Sequence, residues 1–401
     1  MSSLYSNLCA VVSTHQWISN PFHLQIGVYQ GDPLSAAIFN VVINLLLDTI
    51  QSQCHHIGYR FSSSSVVIPA LQYADDTCLV SNNKENCQTM LDVTQRWLEW
   101  ALMKAKVNKC VAVAITGQTG RVYDPKLAMA GEPLPFLADK AVKFLGLPIT
   151  TRFDSEEIKS NLMSKLERYL TRVHEAPLTR QQKLRIYKEA LIPRLNWLLT
   201  IADLPLTWVE RTLEPLARKY LKIWSGLPRC ADPSRLYLPR SLGGLEMPSL
   251  PTVFKKLQVT RYTGLLTSRD ACCRFLAQRQ SDHDKGMAKK FLAAVEANQI
   301  VSQHPELSRK QISKHAATEV FEADTQAHLH HARSLQREKD LIQQENKADD
   351  QWTVATTKLP ENIFAFGMKA ITDTLPHNSN LCLWKKIQSD HCPICSSDSI
   401  Q

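Results

Sequence analysis

No acidic residue precedes Asp32 in this chain of 401 residues, so the first 31 positions supply no carboxylate for metal or proton chemistry. Long hydrophobic runs are also missing. The longest nearly apolar stretch, residues 36–50, falls short of the ~20 residues that a membrane span needs, and Asn40 and Asn44 interrupt it. The opening MSSLYSNLC has no basic cluster ahead of an apolar core, so no signal peptide is expected. Glycine, at 13 residues, is far too scarce for a collagen-like chain, and a hydrophobic share of 44% is too high for a disordered tail. The cysteines number 11, an odd count without regular spacing, which fits free thiols better than a disulfide framework. The expectation is a soluble intracellular protein, cytoplasmic or nuclear, with length for two to four domains and no membrane partner.

What is present in excess is positive charge, and it is localised. Residues 1–151 carry 10 basic and 10 acidic side chains, and residues 263–401 carry 17 of each. Residues 152–262 carry 20 basic and 11 acidic, which accounts for the whole net charge of +9. Concentrated cations are the electrostatic footprint of phosphate binding, because neutralising phosphates releases condensed counterions.

The first 150 residues mix helices and strands. Asp32 is placed as an N-cap, with Pro33 as the first helical residue. Leu34, Ala37, Ile38, Val41, Val42, Leu45 and Leu46 follow at helical spacing and predict one buried stripe. A second helix is predicted from about Lys84 to Ala101, with Cys87, Met90, Leu91, Thr94, Leu98 and Ala101 inward. Between them, residues 66–80 read as a hairpin around Ala74-Asp75-Asp76, its strands buried. Residues 110–115 and 141–149 are further strand candidates. This order predicts an α+β sheet with helices on one face.

Beyond Thr150 the pattern turns helical. Asp154 with Glu157, Thr179 with Gln182 and Thr207 with Glu210 have capping-box spacing. The segment from Val209 to Trp224 carries Arg211, Arg218, Lys219 and Lys222. Residues 228–251, rich in proline and glycine, read as a structured connector. Residues 285–350 are polar and helix-favouring, with His328, His330 and His331 read as a solvated face.

The sharpest feature is Leu71-Gln72-Tyr73-Ala74-Asp75-Asp76-Thr77-Cys78-Leu79-Val80. Two neighbouring carboxylates repel each other, so a cation is expected to hold them. Mg2+ suits such a site, since it takes one or two carboxylates together with substrate phosphates. An ordinary Asp-Asp turn is the plainer alternative. Upstream, Gly27-Val28-Tyr29-Gln30-Gly31-Asp32-Pro33-Leu34-Ser35 opens the capped helix.

Taken together, these two motifs resemble the palm of a reverse transcriptase, and more narrowly those of non-LTR (LINE-type) retrotransposons. The resemblance implies an RNA-directed DNA polymerase: a primer 3′-hydroxyl attacks a dNTP on an RNA template, with Mg2+ and release of pyrophosphate. It implies that Asp75 and Asp76 bind metal and that Gln30, Gly31 and Tyr73 face nucleotide and template. Gly31 is expected where a Cβ would obstruct close backbone approach. Val107-Asn108-Lys109 resembles the element whose lysine protonates pyrophosphate, which makes Lys109 a catalytic candidate. Lys143-Phe144-Leu145-Gly146 resembles the primer grip, with Phe144, Leu145 and Gly146 at its turn. Arg211, Arg218, Lys219 and Lys222 fall where the family places a thumb that tracks the nucleic-acid backbone. Leu359–Trp384, with Asp373-Thr374-Leu375-Pro376 and Asn380-Leu381, resembles the segment ahead of a zinc module, and Cys392 and Cys395 resemble half of its ligand set. Those last features favour a retrotransposon over a group II intron maturase or a telomerase-like polymerase.

Two departures accompany the resemblance. The family's palm needs another aspartate upstream of the Gln-Gly-Asp-Pro element, and residues 1–31 hold none. A structural zinc needs four ligands, and after Cys395 there is no Cys or His, so zinc is not expected here. Tyr29 also stands where a basic residue is usual. The expected organisation is a partial palm over 1–150, a basic helical thumb over 151–262, a polar helical region over 263–358 and a broken zinc-knuckle segment over 359–401. The chain reads as truncated at both ends and inactive alone. The alternative is a non-catalytic RNA- or DNA-binding or domesticated interaction protein.

Overall fold

The computed structural model describes residues 9–23, 27–28, 31–61, 66–117, 119–137, 142–149, 155–283, 308–334 and 358–389. The chain divides into two compact units, Met1–Thr151 and Arg152–Gln401.

The first unit is α+β. Strands β1 (Cys9–Ala10) and β2 (Phe22–His23) pair antiparallel ahead of helix α1 (Pro33–Cys54). Next come β3 (Tyr59–Arg60) with β4 (Val67–Ile68), β5 (Ala70–Tyr73) with β6 (Asp76–Leu79), and helix α2 (Lys84–Trp100). Three further antiparallel pairs close the unit: β7 (Ala114–Ile115) with β8 (Val122–Tyr123), β9 (Ala128–Met129) with β10 (Glu132–Pro133), and β11 (Val142–Phe144) with β12 (Leu147–Ile149). Among the described residues these pairs stay as separate two-stranded ladders rather than one sheet. Strands of two to four residues offer few ladder bonds, so side-chain packing on the two helices holds the unit together.

That packing corrects the expected stripe of α1. Asp32 caps the helix as its position predicts, accepting the Leu34 amide at 3.2 Å. The buried face, however, is Ile43, Leu46, Ile50 and Cys54, which meets Met90, Val93, Trp97 and Leu98 of α2. Leu34, Val41, Val42 and Leu45 lie exposed, Val41 at 68%. The helix is apolar on nearly every side, so hydropathy alone could not tell which face a neighbour covers. By length and composition Pro33–Ile57 also qualifies for crossing a membrane, which the count over residues 36–50 does not anticipate; one face packs on α2 and most of the span is unburied. Gln88 of α2 adds a polar tie. Its side-chain amide donates to the Ala128 carbonyl at 2.8 Å and accepts the Ala128 amide at 3.0 Å, acting as an extra rung beside β9.

The second unit is helical. Helix α3 (Ser155–Glu175) buries Leu162, Leu166 and Leu170, one every four residues. Each leucine contributes about 2 kcal/mol on burial. Helix α4 (Arg180–Ile186) opens with the expected capping box: Thr179 accepts the Gln182 amide and Gln182 accepts that of Thr179. It runs through a π-helical turn, Tyr187–Leu191, into α5 (Ile192–Ile201). Helix α6 (Leu206–Trp208) does the same through Val209–Leu213 into α7 (Glu214–Ser225). Each wide turn stands just ahead of a proline, Pro193 or Pro215. Proline brings no N–H, so the chain widens there instead of breaking. Thr207 lies inside α6, behind Pro205 as N-cap, and forms no capping box, while Asp154 lies outside the described residues. Helices α8 (Ser234–Tyr237), α9 (Leu250–Leu266), α10 (Ala271–His283), α11 (Arg309–Ser334), α12 (Glu361–Ile371) and α13 (Asn378–Leu383) follow.

Helix α11 is not the solvated element its polarity implies. Asp324 accepts the Thr252 hydroxyl at 2.7 Å and pairs with Lys255 at 2.8 Å, both on α9. Ile312, Ala316 and Val320 are buried. Of the three histidines, His328 stacks on Tyr237 with ring centres 5.0 Å apart, and His331 lies 3.0 Å from Asp232. His330 and His331 are exposed as expected, and only His328 of the three is half-buried.

At the heart of this unit Glu214 is almost completely buried. It accepts the Tyr237 hydroxyl and, at 2.8 Å, the Leu250 amide, with Arg218 at 3.9 Å. Burial pushes its carboxyl up, and these donors only partly offset that rise. The protonated form is therefore favoured by folding. Its stabilisation is full below the ordinary carboxylate range and is lost as pH rises through the raised value. Glu214→Ala is expected to cost about 3 kcal/mol, because the donors lose their acceptor in the core. Glu214→Gln should gain on the parent chain as pH rises from 4 to 7, measured by urea unfolding. A difference flat with pH would contradict this.

Candidate functional site

The Asp75–Asp76 pair sits where the hairpin reverses. Tyr73 pairs with Asp76 across β5 and β6, leaving Ala74 and Asp75 as a two-residue loop. Ala74 takes a left-handed backbone, φ 51°, which costs an L-residue about 1 kcal/mol and turns the chain sharply enough to project both carboxylates. Gln72 anchors this tip: its side-chain amide donates to the Ala74 carbonyl at 3.3 Å and the Ile43 carbonyl of α1 at 3.4 Å. The hairpin strands are not buried as their composition predicts. They alternate, with Ala70, Gln72, Thr77 and Leu79 half-buried and Leu71, Tyr73, Asp76 and Cys78 exposed. Past the open end of the hairpin, the Val80 amide donates to the Pro69 carbonyl at 2.9 Å and the Tyr59 amide to the Val80 carbonyl at 3.0 Å. Among the described residues no further strand covers their outer face.

The expected cation beside the two aspartates is absent from the protein itself: among the described residues neither Asp75 nor Asp76 has an ion-pair partner. No group of three His, Cys, Asp or Glu side chains able to hold a metal occurs among them either. Two exposed carboxylates suit one divalent ion shared with phosphates and water. They do not make a cage for a pair of ions by themselves.

The other candidates are distributed as follows. Gly31 has φ 97°, and nothing lies within 4 Å of where a Cβ would stand, so backbone conformation rather than crowding by this chain requires glycine there. Gln30 lies outside the described residues, as do Cys392 and Cys395. Lys109 ends a 3-10 turn, Val107–Lys109, with its side chain exposed, while Val107 and Cys110 pack on the core. Phe144 pairs with Leu147, so Leu145 (φ 48°) and Gly146 (φ 83°) form a two-residue turn with both φ positive.

The four cations of the basic helix do not act as one set. Arg211 and Lys219 are exposed. Arg218 instead reaches inward to Tyr237 at 3.4 Å and to Glu214. Lys222 donates to the carbonyls of Arg229 at 2.7 Å and Ala231 at 2.5 Å, closing the loop after α7. The helical spacing that gathers Glu214, Arg218 and Lys222 on one face was readable from the chain. That this face points into the fold was not.

Comparison with known proteins agrees with the motif reading. Residues 3–149 match the reverse transcriptase (RNA-dependent DNA polymerase) family. The chain is 29% identical over 315 residues to the retrovirus-related Pol polyprotein from type-2 retrotransposable element R2DM of Drosophila melanogaster, covering 76% of this chain and 28% of that protein. It is 27% identical over 181 residues to the corresponding polyprotein from type-1 retrotransposable element R2 of Popillia japonica, covering 44% of this chain and 29% of the relative. A second Popillia japonica polyprotein of that name is 26% identical over 313 residues, covering 74% of this chain and 40% of the relative. The chain thus spans under a third of the first two relatives. The Asp-Asp hairpin and the capped helix thus lie in the segment that matches reverse transcriptases, and the chain is similar to the Pol polyproteins of R2 retrotransposable elements.

Proposed function

We propose that this chain carries the Asp-Asp hairpin and the basic helical thumb of an RNA-directed DNA polymerase, and that it binds template and primer without extending them on its own. In this reading residues 1–150 are the partial palm, 151–262 the thumb, 263–358 a polar helical region, and 359–401 the approach to a zinc module. The work is intracellular, on RNA template and DNA primer, with dNTPs and Mg2+ used by the whole polyprotein. The observation that carries the proposal is the Asp75–Asp76 turn, fixed to α1 by Gln72, with no carboxylate in residues 1–31 to complete a two-ion site. The exposed Leu34, Val41, Val42 and Leu45 of α1, and Leu71 and Tyr73 of the hairpin, are the apolar area that an adjoining part of such a polyprotein would cover.

Primer extension on an RNA template, with Mg2+ or Mn2+, tests the catalytic half. The chain alone should incorporate no more dNTP than Asp75→Ala does. Robust incorporation that Asp75→Ala abolishes would overturn the inactivity.

The binding half rests on the excess of cations in 152–262 and on their division. The double variant Arg211→Gln/Lys219→Gln should weaken binding to a labelled RNA–DNA duplex and flatten its dependence on salt by up to about two phosphate contacts. Lys222→Met should leave the salt slope unchanged and lower thermal stability, since its ammonium holds two backbone carbonyls. Equal effects of all these substitutions on the salt slope would contradict the division.

A further inference from the structure

A cavity of about 540 Å³ opens in the second unit between α4, the loop after α8 and the start of α12. That volume lies within the range of sites for small organic ligands. Its apolar wall includes Leu245, Met247 and Phe364, all buried. Its cations are Arg185, Lys188 and Arg240.

The three cations differ in what they already hold. Arg185 pairs with Glu189 at 2.9 Å, and Lys188 with Glu246 at 2.7 Å. Arg240 alone has no carboxylate partner among the described residues, and of its guanidinium nitrogens only Nε is shut off from solvent. Its outer nitrogens are therefore open to an acceptor from outside, and a charge-assisted bond there is about twice as strong as a neutral one.

The loop that carries Arg240 is built rather than loose. Residues 240–242 form a 3-10 turn closed by Gly243 at φ 68°. A Cβ on Gly244 would stand 2.0 Å from the Leu238 carbonyl oxygen, so only glycine allows this approach. The opposite wall is tied down as well. Gln181 donates to the Leu359 carbonyl at 2.8 Å, and the Arg180 amide donates to Glu361 at 3.3 Å.

We propose that this cavity takes one unstacked nucleotide of a single-stranded nucleic acid. The base lies on the apolar wall and the phosphate accepts from Arg240. This rests on the nucleic-acid reading above and adds to it a specific pocket distinct from the exposed Arg211 and Lys219. A flat apolar base matches the apolar wall, an anionic phosphate matches the unpaired cation at its edge, and guanidinium suits phosphate geometry.

The test uses the full chain, a single-stranded 20-mer of 5-bromouridine and free UMP. Ultraviolet crosslinking should map to the peptide holding Met247 or the one holding Phe364, and millimolar UMP should reduce it. Arg240→Met should weaken 20-mer binding about tenfold, the loss expected for a charged hydrogen bond. Arg211→Gln/Lys219→Gln should weaken binding yet leave the crosslink where it was. Because the crosslink is read on the unsubstituted chain, it stands even if Arg240→Met misfolds. Salt-sensitive binding with no crosslink at either peptide would overturn the pocket and leave the nucleic-acid reading intact. No binding of the 20-mer at low salt would overturn both.

Discussion

Two exposed carboxylates share the tip of a two-residue turn, and the first unit holds that turn against its longest helix. Asp75 and Asp76 are exposed, preceded by Ala74 in a left-handed backbone, and anchored from behind by Gln72 on the helix backbone. No lysine or arginine among the described residues neutralises them. The tip is thus held rigid and left electrostatically unfinished, which is the condition under which an outside cation and phosphates gain most. The helix beneath it is also unfinished: one face forms the core with α2 while leucine and valine side chains stand in water on the other.

The second unit solves its charge problem internally. A count of 20 basic side chains against 11 acidic overstates what is available to a partner, because Arg218 and Lys222 are spent on the fold. Arg218 belongs to the buried group around Glu214, and Lys222 stands in for a helix-end donor. Arg211 and Lys219 remain on the surface. Charge arithmetic therefore locates an excess of cations, and only the direction each helix face points decides which of them stay open to solvent.

Much of the first unit was legible in the chain. Asp32 and Pro33 announce the start of α1, Ala74-Asp75 announces the hairpin turn, and the apolar spacing of α2 gives Met90, Thr94 and Leu98 of its inner face while missing Val93 and Trp97. These are local signals, set by capping, turn chemistry and periodicity. What failed to read were features fixed by distant neighbours. The buried side of α1 depends on where α2 packs, since both faces are apolar. Helix α11 looks solvated until Asp324 meets Thr252 and Lys255, 72 and 69 positions away. The expected continuous sheet became separate hairpins, because no local pattern states which strand edges meet. The cavity lined by Arg240 draws its walls from three separated stretches, 179–189, 240–247 and 359–364, and none of them carries a motif for it.

The central claim is that this chain's own carboxylates suffice for a single weakly held divalent ion at the hairpin and not for a pair. Electron paramagnetic resonance titration with Mn2+ counts bound ions directly. The account predicts at most one weak site per chain, lost in Asp75→Asn. Two tightly bound Mn2+ ions, both removed by Asp75→Asn, would show that some other side chain completes the cage and would contradict it.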